Sequence, residues 1–340
     1  MTDGRLPKIT LEEAYQHPDA VRAILANEED LRGLLESVAL TPEYYHRVAR
    51  RLPEFDELRL ASMDAAGIEH QIISLTAPGI QAIADPAEAT AEARRQNDFL
   101  AGQVARHPAR YSGFAAVALQ DPEGAGKELR RAVTELGFKG VLVNGYTNVG
   151  GHEHGRYLDD PAYHPFWEAL AELDVPLYLH PRPPLPGAQA DLYRGHPEML
   201  GATWGFGSET ATHAVRLLLS GHFDRFPSTQ LILGHLGEGL PALLWRTQNM
   251  FDLNPGDKKI RKTIPEYVAD NIWITTSGTF SDQALINAVL AVGADHILFS
   301  VDYPYSDNAD GAAWIERTPI SELDRRKIAH GNARALFGLG

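Results

Sequence analysis

The chain has 340 residues, of which 44% are hydrophobic and 22% are charged, the composition of a globular protein. Acidic residues outnumber basic ones by 45 to 31, and no basic run is present, so we expect neither nucleic acid nor an anionic membrane as a partner. The absence of cysteine excludes disulfides, thiolate metal ligands and cysteine nucleophiles. The N-terminal sequence lacks a signal-peptide pattern, and no apolar run approaches about 18 residues, which predicts a cytoplasmic protein.

Eight short apolar runs predict strands, and most segments between them have helical patterns. One helical segment begins at Asp85, with Pro86 in its first turn and Glu88 three residues after the cap. This alternation predicts a (β/α)8 barrel in a single domain spanning 1–340, with a helical insertion after the first strand at about residues 20–60. An open doubly wound sheet is the alternative, because a strand count from one sequence is easily wrong by one. The predicted strands are 8–12, 70–75, 111–119, 138–144, 175–180, 229–235, 271–277 and 296–302.

Four possible metal ligands stand at the ends of four predicted strands. They are Glu12, His180, His235 and Asp302. The active sites of such barrels lie at the C-terminal ends of the strands, so these side chains are expected at one face. Alone, each is more often a structural or turn residue, but four together favour a metal site. Oxygen and imidazole ligands suit Mn²⁺, Zn²⁺, Mg²⁺ or Fe²⁺.

The first strand contains two adjacent acids, and the alternation of side chains predicts which one enters the barrel. Glu12 shares a face with Thr10 and Ala14, whereas Glu13 shares the other face with Ile9 and Leu11. We expect Ile9 and Leu11 to pack outward against helices. Glu12 should then point into the barrel mouth as a ligand, and Glu13 should be a carboxylate at the rim that is held by a local partner.

Six segments of the sequence resemble the amidohydrolase superfamily, and more narrowly its aminocarboxymuconate-semialdehyde-decarboxylase-like branch. The likeness covers nearly the whole chain and is strongest to the hydroxybenzoate decarboxylases of that branch, which act on substrates such as 2,3-dihydroxybenzoate and γ-resorcylate. The segments are "LEEAY", "DVPLYLHPRPPLP", "LILGHLGEGLP", "NIWITTSG", "HILFSVDYPYSD" and "GNARALFGL".

This resemblance implies roles for the residues at the strand ends. Glu12, His180 and Asp302 match metal ligands of the family. His235 matches a histidine near the metal, and Glu238 matches its hydrogen-bond partner. Many relatives have a second histidine ligand where this chain has Ala14. This difference weakens the interpretation as a general hydrolase more than the interpretation as a decarboxylase. It also leaves coordination positions on the metal open for substrate oxygens.

The function that the resemblance implies is metal-dependent, non-oxidative and in principle reversible decarboxylation of an ortho-hydroxybenzoate. One divalent ion, Mn²⁺ or alternatively Zn²⁺ or Mg²⁺, would be present without an organic cofactor, and the substrate would be a small aromatic carboxylic acid. We predict that Asp302 donates the proton to the ring and that His235 with Glu238 orients the phenolic oxygen. The alternative function is metal-dependent hydrolysis of a lactone, ester or amide.

Further residues are predicted to contact the substrate. Arg246 would pair either with the surroundings of His235 or with the anionic edge of the substrate, unless this side chain forms only a surface salt bridge. An aromatic substrate favours apolar walls, and the residues predicted for them are Thr76, Ala77, Pro78, Trp204, Phe206 and Tyr305. The resemblance also implies a homodimer or homotetramer.

Overall fold

The structure, a computed structural model, describes residues 5–339, and all eight predicted strands form within this range. Several strands end earlier than predicted, so His235 and Asp302 lie in loops just after their strands, whereas Glu12 lies inside its strand. The barrel strands are β1 (Lys8–Tyr15), β2 (Ile68–Leu75), β3 (Tyr111–Gly113), β4 (Val141–Asn144), β5 (Leu177–His180), β6 (Leu231–Leu233), β7 (Ile272–Thr275) and β8 (Ile297–Leu298). Two further short strands, Thr147–Asn148 and Gly155–Arg156, pair antiparallel in the loop after β4.

All eight strands are parallel to their neighbours and follow one another in chain order. Strands β1–β3 form one hydrogen-bonded sheet and β4–β8 form another, and a parallel bridge between Ala115 and Val141 joins the two. Between β8 and β1, the backbone N–H of Ala14 donates to the carbonyl of Tyr303 at 2.7 Å. This order is that of the predicted barrel, in which the C-terminal ends of all strands face one side.

One group of buried side chains fills the centre of the barrel. It draws on all eight strands or the residue directly after them, whereas a separate core lies between the strands and the surrounding helices. The C-terminal helix closes the bottom of the barrel, where the rings of Phe114 and Phe337 are 5.7 Å apart. The central side chains are Ile9, Leu11, Ile72, Phe114, Leu142, Tyr178, Ile232, Trp273 and Leu298.

The helices follow the predicted alternation, and the insertion after β1 contains α1–α4. Asp85 caps α5 by accepting a hydrogen bond from the backbone N–H of Glu88, as its sequence pattern predicted. The helices are α1 (Pro18–Ala26), α2 (Glu28–Val38), α3 (Pro42–Arg51), α4 (Glu57–Ala66), α5 (Pro86–Arg106), α6 (Pro122–Thr134), α7 (His164–Leu173), α8 (Pro186–Leu192), α9 (Gly205–Leu219), α10 (His222–Arg225), α11 (Leu240–Leu253), α12 (Ile264–Asn271), α13 (Asp282–Val292), α14 (Asn308–Arg317), α15 (Glu322–Arg326) and α16 (Asn332–Phe337).

The predicted orientation of the first strand is wrong for two residues. Ile9 and Leu11 point into the barrel rather than toward the helices. Leu11 pairs with Ile72 and Glu13 pairs with the next residue, Ile73, so Glu12 is an extra residue in β1 with a φ of 70°. This bulge interrupts the two-residue alternation, which allows Leu11 and Glu12 both to face the interior.

Candidate active site

The Glu12 carboxylate lies above the core at the C-terminal end of the barrel, where Gly234 makes room for it. A Cβ added at Gly234 would be 2.9 Å from Glu12 Oε2 and 3.0 Å from the hydroxyl of Tyr178. That hydroxyl is 2.9 Å from Thr275 Oγ1, which fixes the floor beneath the carboxylate. The glycine in the "LGH" segment therefore has a packing reason that the sequence analysis did not identify.

Left-handed backbone conformations are concentrated at this site. Seven non-glycine residues in the described chain have a positive φ, and two of them, Ala39 and Asp174, end helices. A left-handed residue other than glycine costs about 1–3 kcal/mol, so such a concentration requires surrounding contacts that hold it and is typical of functional sites. The other five are Glu12, His235, Leu236, Glu238 and Asp302.

The two predicted histidines meet the Glu12 carboxylate. Glu12 Oε1 is 3.4 Å from His180 Nε2 and 3.6 Å from His235 Nε2. Burial, with the nearby His235, lowers the pKa of His180 to about 3, so this imidazole is neutral and has a lone pair for a metal. The structure thus brings together side chains that are 168 and 223 residues apart in the sequence.

His235 is held by Glu238 as the sequence resemblance implied. The Nδ1 of His235 is 2.6 Å from Glu238 Oε1, and a carboxylate can only accept, so Nδ1 carries the proton. Burial lowers the pKa of His235, but the nearby carboxylates of Glu238, Glu12 and Asp302 outweigh it and raise this pKa well above its usual value. The Nε2 atom is therefore fixed in direction and faces Glu12 and Asp302.

Asp302 completes the cluster from the loop after β8. Its Oδ2 is 4.0 Å from His235 Nε2, and the side chain retains some exposure to the barrel mouth. Burial raises the pKa of Asp302, and the adjacent His235 opposes this increase. All four of the predicted strand-end residues therefore lie at one site, with a carboxylate on each side of the His235 imidazole.

Glu12 is the group in this cluster whose surroundings are incomplete. Its side chain is 1% exposed, and neither carboxylate oxygen has a hydrogen-bond partner among the described residues. Burial raises the pKa of Glu12 well above its usual value, although His235 opposes the increase. Because a buried carboxylate without hydrogen bonds is strongly destabilising unless a cation faces it, this donor set fits a divalent metal ion. Within residues 5–339, no three His, Asp or Glu side chains are arranged so that together they could hold a metal ion, so the ligand set stays a prediction.

The prediction that Glu13 is a rim carboxylate is wrong. Glu13 is completely buried between β1 and β8, where it accepts hydrogen bonds from the backbone N–H groups of Val301 and Tyr303. Burial raises the pKa of Glu13 to about 7, against the opposing effect of these two hydrogen bonds. The adjacent Ala14 packs in an apolar cluster with the insertion helices, which differs from the expected open volume beside Glu12.

The structure brings some predicted pocket residues to the site and leaves others away from it. The hydroxyl groups of Thr76 and Tyr305 are hydrogen-bonded at 2.7 Å. Burial raises the pKa of Tyr305, and the nearby carboxylate of Asp302 adds to this increase. Ala77 is half-buried and Pro78 is exposed. Phe206 is half-buried beside Gly207, where an added Cβ would be 2.9 Å from Glu238 Oε2.

Two predicted substrate contacts do not join the cluster. Trp204, which directly precedes α9, is 59% exposed. Arg246 is exposed on α11 and forms no hydrogen bond or ion pair with another described residue. Among residues 5–339, neither side chain forms a hydrogen bond, ion pair or ring contact with the metal-ligand candidates.

Comparison with known proteins agrees with this geometry. The amidohydrolase family model matches residues 16–339, which is nearly the whole chain. The chain belongs to the amidohydrolase family. The predicted barrel architecture is therefore confirmed both by the strand order and by this membership.

Relatives within the family are decarboxylases. The γ-resorcylate decarboxylase of Polaromonas sp. strain JS666 is 47% identical over 98% of both chains. A solved 2,6-dihydroxybenzoate decarboxylase in complex with 2,6-dihydroxybenzoate has a TM-score of 0.90 and 44% identity, covering 98% of this chain and 99% of its own. The structure of a Polaromonas dihydroxybenzoic acid decarboxylase contains manganese and the inhibitor 2-nitroresorcinol; its TM-score is 0.90, with 45% identity over 98% of this chain and 97% of its own. This amidohydrolase is a carboxy-lyase.

Proposed function

We propose that this amidohydrolase catalyses the metal-dependent, non-oxidative decarboxylation of 2,6-dihydroxybenzoate or a similar ortho-hydroxybenzoate. The observation that carries the proposal is the buried Glu12 carboxylate, which has no hydrogen-bond partner within residues 5–339 and faces two imidazoles. The 47% identical γ-resorcylate decarboxylase supports the substrate class. The manganese in the Polaromonas structure supports Mn²⁺ as the ion.

The side chains that hold the ion are Glu12, His180 and Asp302 in this proposal. When bound, the ion supplies the positive charge that keeps the substrate carboxylate and the neighbouring phenolate oxygen together. His180 contributes as a neutral ligand because burial keeps it unprotonated at physiological pH. No organic cofactor is needed, because the ring itself accepts the electron pair released by loss of CO₂.

The remaining side chains move the proton and orient the ring. Asp302 donates a proton to the ring carbon that bears the carboxylate, which interrupts aromaticity. Cleavage of the bond to the carboxylate then returns its electron pair to the ring and releases CO₂. His235, fixed through Nδ1 by Glu238, directs Nε2 at the phenolic oxygen and stabilises its charge. Thr76 and Tyr305 form part of the wall beside Asp302.

Metal removal and restoration test the function. After chelation we expect CO₂ release from 2,6-dihydroxybenzoate to fall to background and to return with one equivalent of Mn²⁺ per chain. Elemental analysis and headspace CO₂ measurement are the readouts, with a lactone and an aryl ester assayed in parallel. Full activity in metal-free protein would refute the metal requirement. Cleavage of the lactone or ester without CO₂ release from any ortho-hydroxybenzoate would favour the hydrolase alternative.

The chain is also proposed to form a homodimer or homotetramer. Large apolar side chains are exposed on the neighbouring helices α11 and α13, including Trp245 at 72%, Leu253 at 74% and Leu290 at 82%. Exposed apolar patches of this kind mark interaction surfaces. Light scattering should give a dimeric or tetrameric mass for the wild type and a smaller mass for the Trp245→Glu, Leu253→Glu double variant. A wild-type monomer at micromolar concentration would contradict the prediction.

Two proposals concern the chain as a whole. A single barrel domain spanning 1–340 is supported by the family match over residues 16–339. A cytoplasmic location also stays a prediction. No helix in the described part of the chain combines the length and the apolar composition needed to cross a bilayer.

A further inference from the structure

Glu13 is a fully buried carboxylate that the proposed chemistry does not use. Its Oε1 accepts from the backbone N–H of Val301 at 3.1 Å, and its Oε2 accepts from the N–H of Tyr303 at 2.8 Å. The hydroxyl of Ser300 is a further donor to Oε1 at 3.4 Å. One side chain of β1 therefore binds the backbone on both sides of Asp302.

The backbone between these two hydrogen bonds is in an uncommon conformation. Asp302 has a φ of 73°, which an aspartate keeps only when its surroundings hold it there. The carbonyl of Val301 accepts from Gly278 at 3.2 Å, and the carbonyl of Asp302 accepts from Ser306 at 2.9 Å. These bonds fix carbonyl groups, whereas Glu13 fixes the N–H groups that flank Asp302.

Glu13 also occupies the position where the barrel lacks strand pairing. Hydrogen-bonded sheets run from β1 to β3 and from β4 to β8, and β8 and β1 share no ladder. The main-chain bond from Ala14 to Tyr303 and the two Glu13 bonds connect them instead. Arg59, itself buried, donates to the carbonyl of Ala14 at 2.7 Å and lies 4.8 Å from the centre of the Tyr303 ring.

We propose that Glu13 is a positioning residue that fixes Asp302 for proton transfer by binding the backbone N–H groups of both its neighbours. The assignment of the proton donor rests on the proposed function, but the positioning contact does not. Two acceptor oxygens are required, because each flanking N–H needs its own partner. Glutamine offers one acceptor and places an NH₂ group against the other N–H, while aspartate is one methylene shorter and cannot reach both.

The matched control lies on the same strand. Lys8 is also fully buried, and it binds the carbonyls of Leu6 and Ala66 and the carboxylate of Glu316 at the opposite end of β1. Lys8→Met removes a buried charged group from β1 without touching the Asp302 loop. A loss of activity that follows only from weakened packing of β1 should appear in both variants.

The experiment compares Glu13→Gln, Glu13→Asp and Lys8→Met with wild type. Crystal structures of the metal-free proteins report the position of Asp302, and thermal unfolding reports stability. Both kcat and KM for 2,6-dihydroxybenzoate are measured at saturating Mn²⁺. For Glu13→Gln we expect a roughly 10–100-fold lower kcat, the usual effect of losing a partner that orients an active-site ligand, with KM changed less than about threefold. Glu13→Asp, which keeps the charge but cannot reach both N–H groups, should lose kcat as well, and Lys8→Met should lower the unfolding temperature while keeping kcat.

Each outcome decides the proposal. The positioning proposal is supported if Asp302 is displaced in the metal-free Glu13→Gln structure and its loop is unchanged in Lys8→Met. This support holds even if wild type releases no CO₂, because that result would overturn only the proposed function. An unmoved Asp302 with unchanged kcat in Glu13→Gln refutes the positioning proposal. Equal losses of kcat in Glu13→Gln and Lys8→Met also refute it, since the effect would then be one of general stability.

Discussion

Replacement of Glu12 by glutamine is expected to abolish both stable metal binding and decarboxylation. The amide removes the negative charge from the one buried group whose two oxygens have no hydrogen-bond partner in the described chain. Loss of an outer-shell partner alone costs about 10–100-fold in metal affinity or activity, so removal of a direct ligand should cost more than about 100-fold. Mn²⁺ titration by calorimetry or electron paramagnetic resonance measures the affinity, and CO₂ release measures the rate.

The neighbouring acid provides the control for Glu12. Glu13 is equally buried, but backbone N–H groups satisfy its oxygens, so Glu13→Gln should still bind Mn²⁺ when the ion is saturating. Glu128→Gln, a change at a carboxylate that pairs with Arg131 on the outer helix α6, should alter neither binding nor rate. Retained metal in Glu12→Gln with loss of metal in Glu13→Gln would reverse the assignment of the two acids.

Replacement of Asp302 by asparagine is expected to reduce turnover by about 10²–10⁴-fold, the usual contribution of a general acid. If Asp302 were only a ligand, excess Mn²⁺ would restore the rate, because the amide would mainly weaken binding of the ion. If Asp302 delivers the proton, the rate stays low at saturating metal. The measurement is kcat as a function of Mn²⁺ concentration, beside the metal content of each protein.

A second measurement isolates proton transfer from bond cleavage. In D₂O, the wild type should exchange the hydrogen of resorcinol at the carbon between the two hydroxyl groups, because the group that protonates the ring can also remove that proton. Proton magnetic resonance would follow the loss of this signal. Asp302→Asn should exchange it at the uncatalysed rate. Full rescue of turnover by metal, or unchanged exchange in this variant, would assign the proton to His235 or to water.

The sequence alone predicted the secondary-structure elements and the residues that meet at the site, because both predictions depend on local patterns. Apolar runs indicated eight strands, and the Asp85 cap indicated where α5 begins. Since strands of such a barrel end at one face, the predicted positions of His180, His235 and Asp302 at the ends of their strands were sufficient to predict that they meet. The contact between His235 and Glu238 is also local, because the two residues are three apart in one loop.

The tertiary structure decided how the first strand presents its side chains. A strict alternation would turn Ile9 and Leu11 outward, but the pairing with β2 leaves Glu12 as an extra residue, and the alternation is broken there. A bulge depends on which residues of a neighbouring strand find partners, and this information lies 60 residues away in the sequence. The exposure of Arg246 and Trp204 likewise depends on how their helices pack.

The two acids of "LEEAY" show which features the sequence determines and which features the tertiary structure determines. Alternation along β1 assigned Glu12 to the barrel interior, but on the wrong ground, because Ile9 and Leu11 also face the interior and the bulge at Glu12 breaks the alternation. No local pattern identified Glu13 as an acceptor for the backbone of a distant loop. Glu12 is left without hydrogen bonds between two imidazoles, whereas Glu13 meets the N–H groups that flank Asp302. Those partners come from β5, the loop after β6 and the loop after β8, and only closure of the barrel brings them to the first strand.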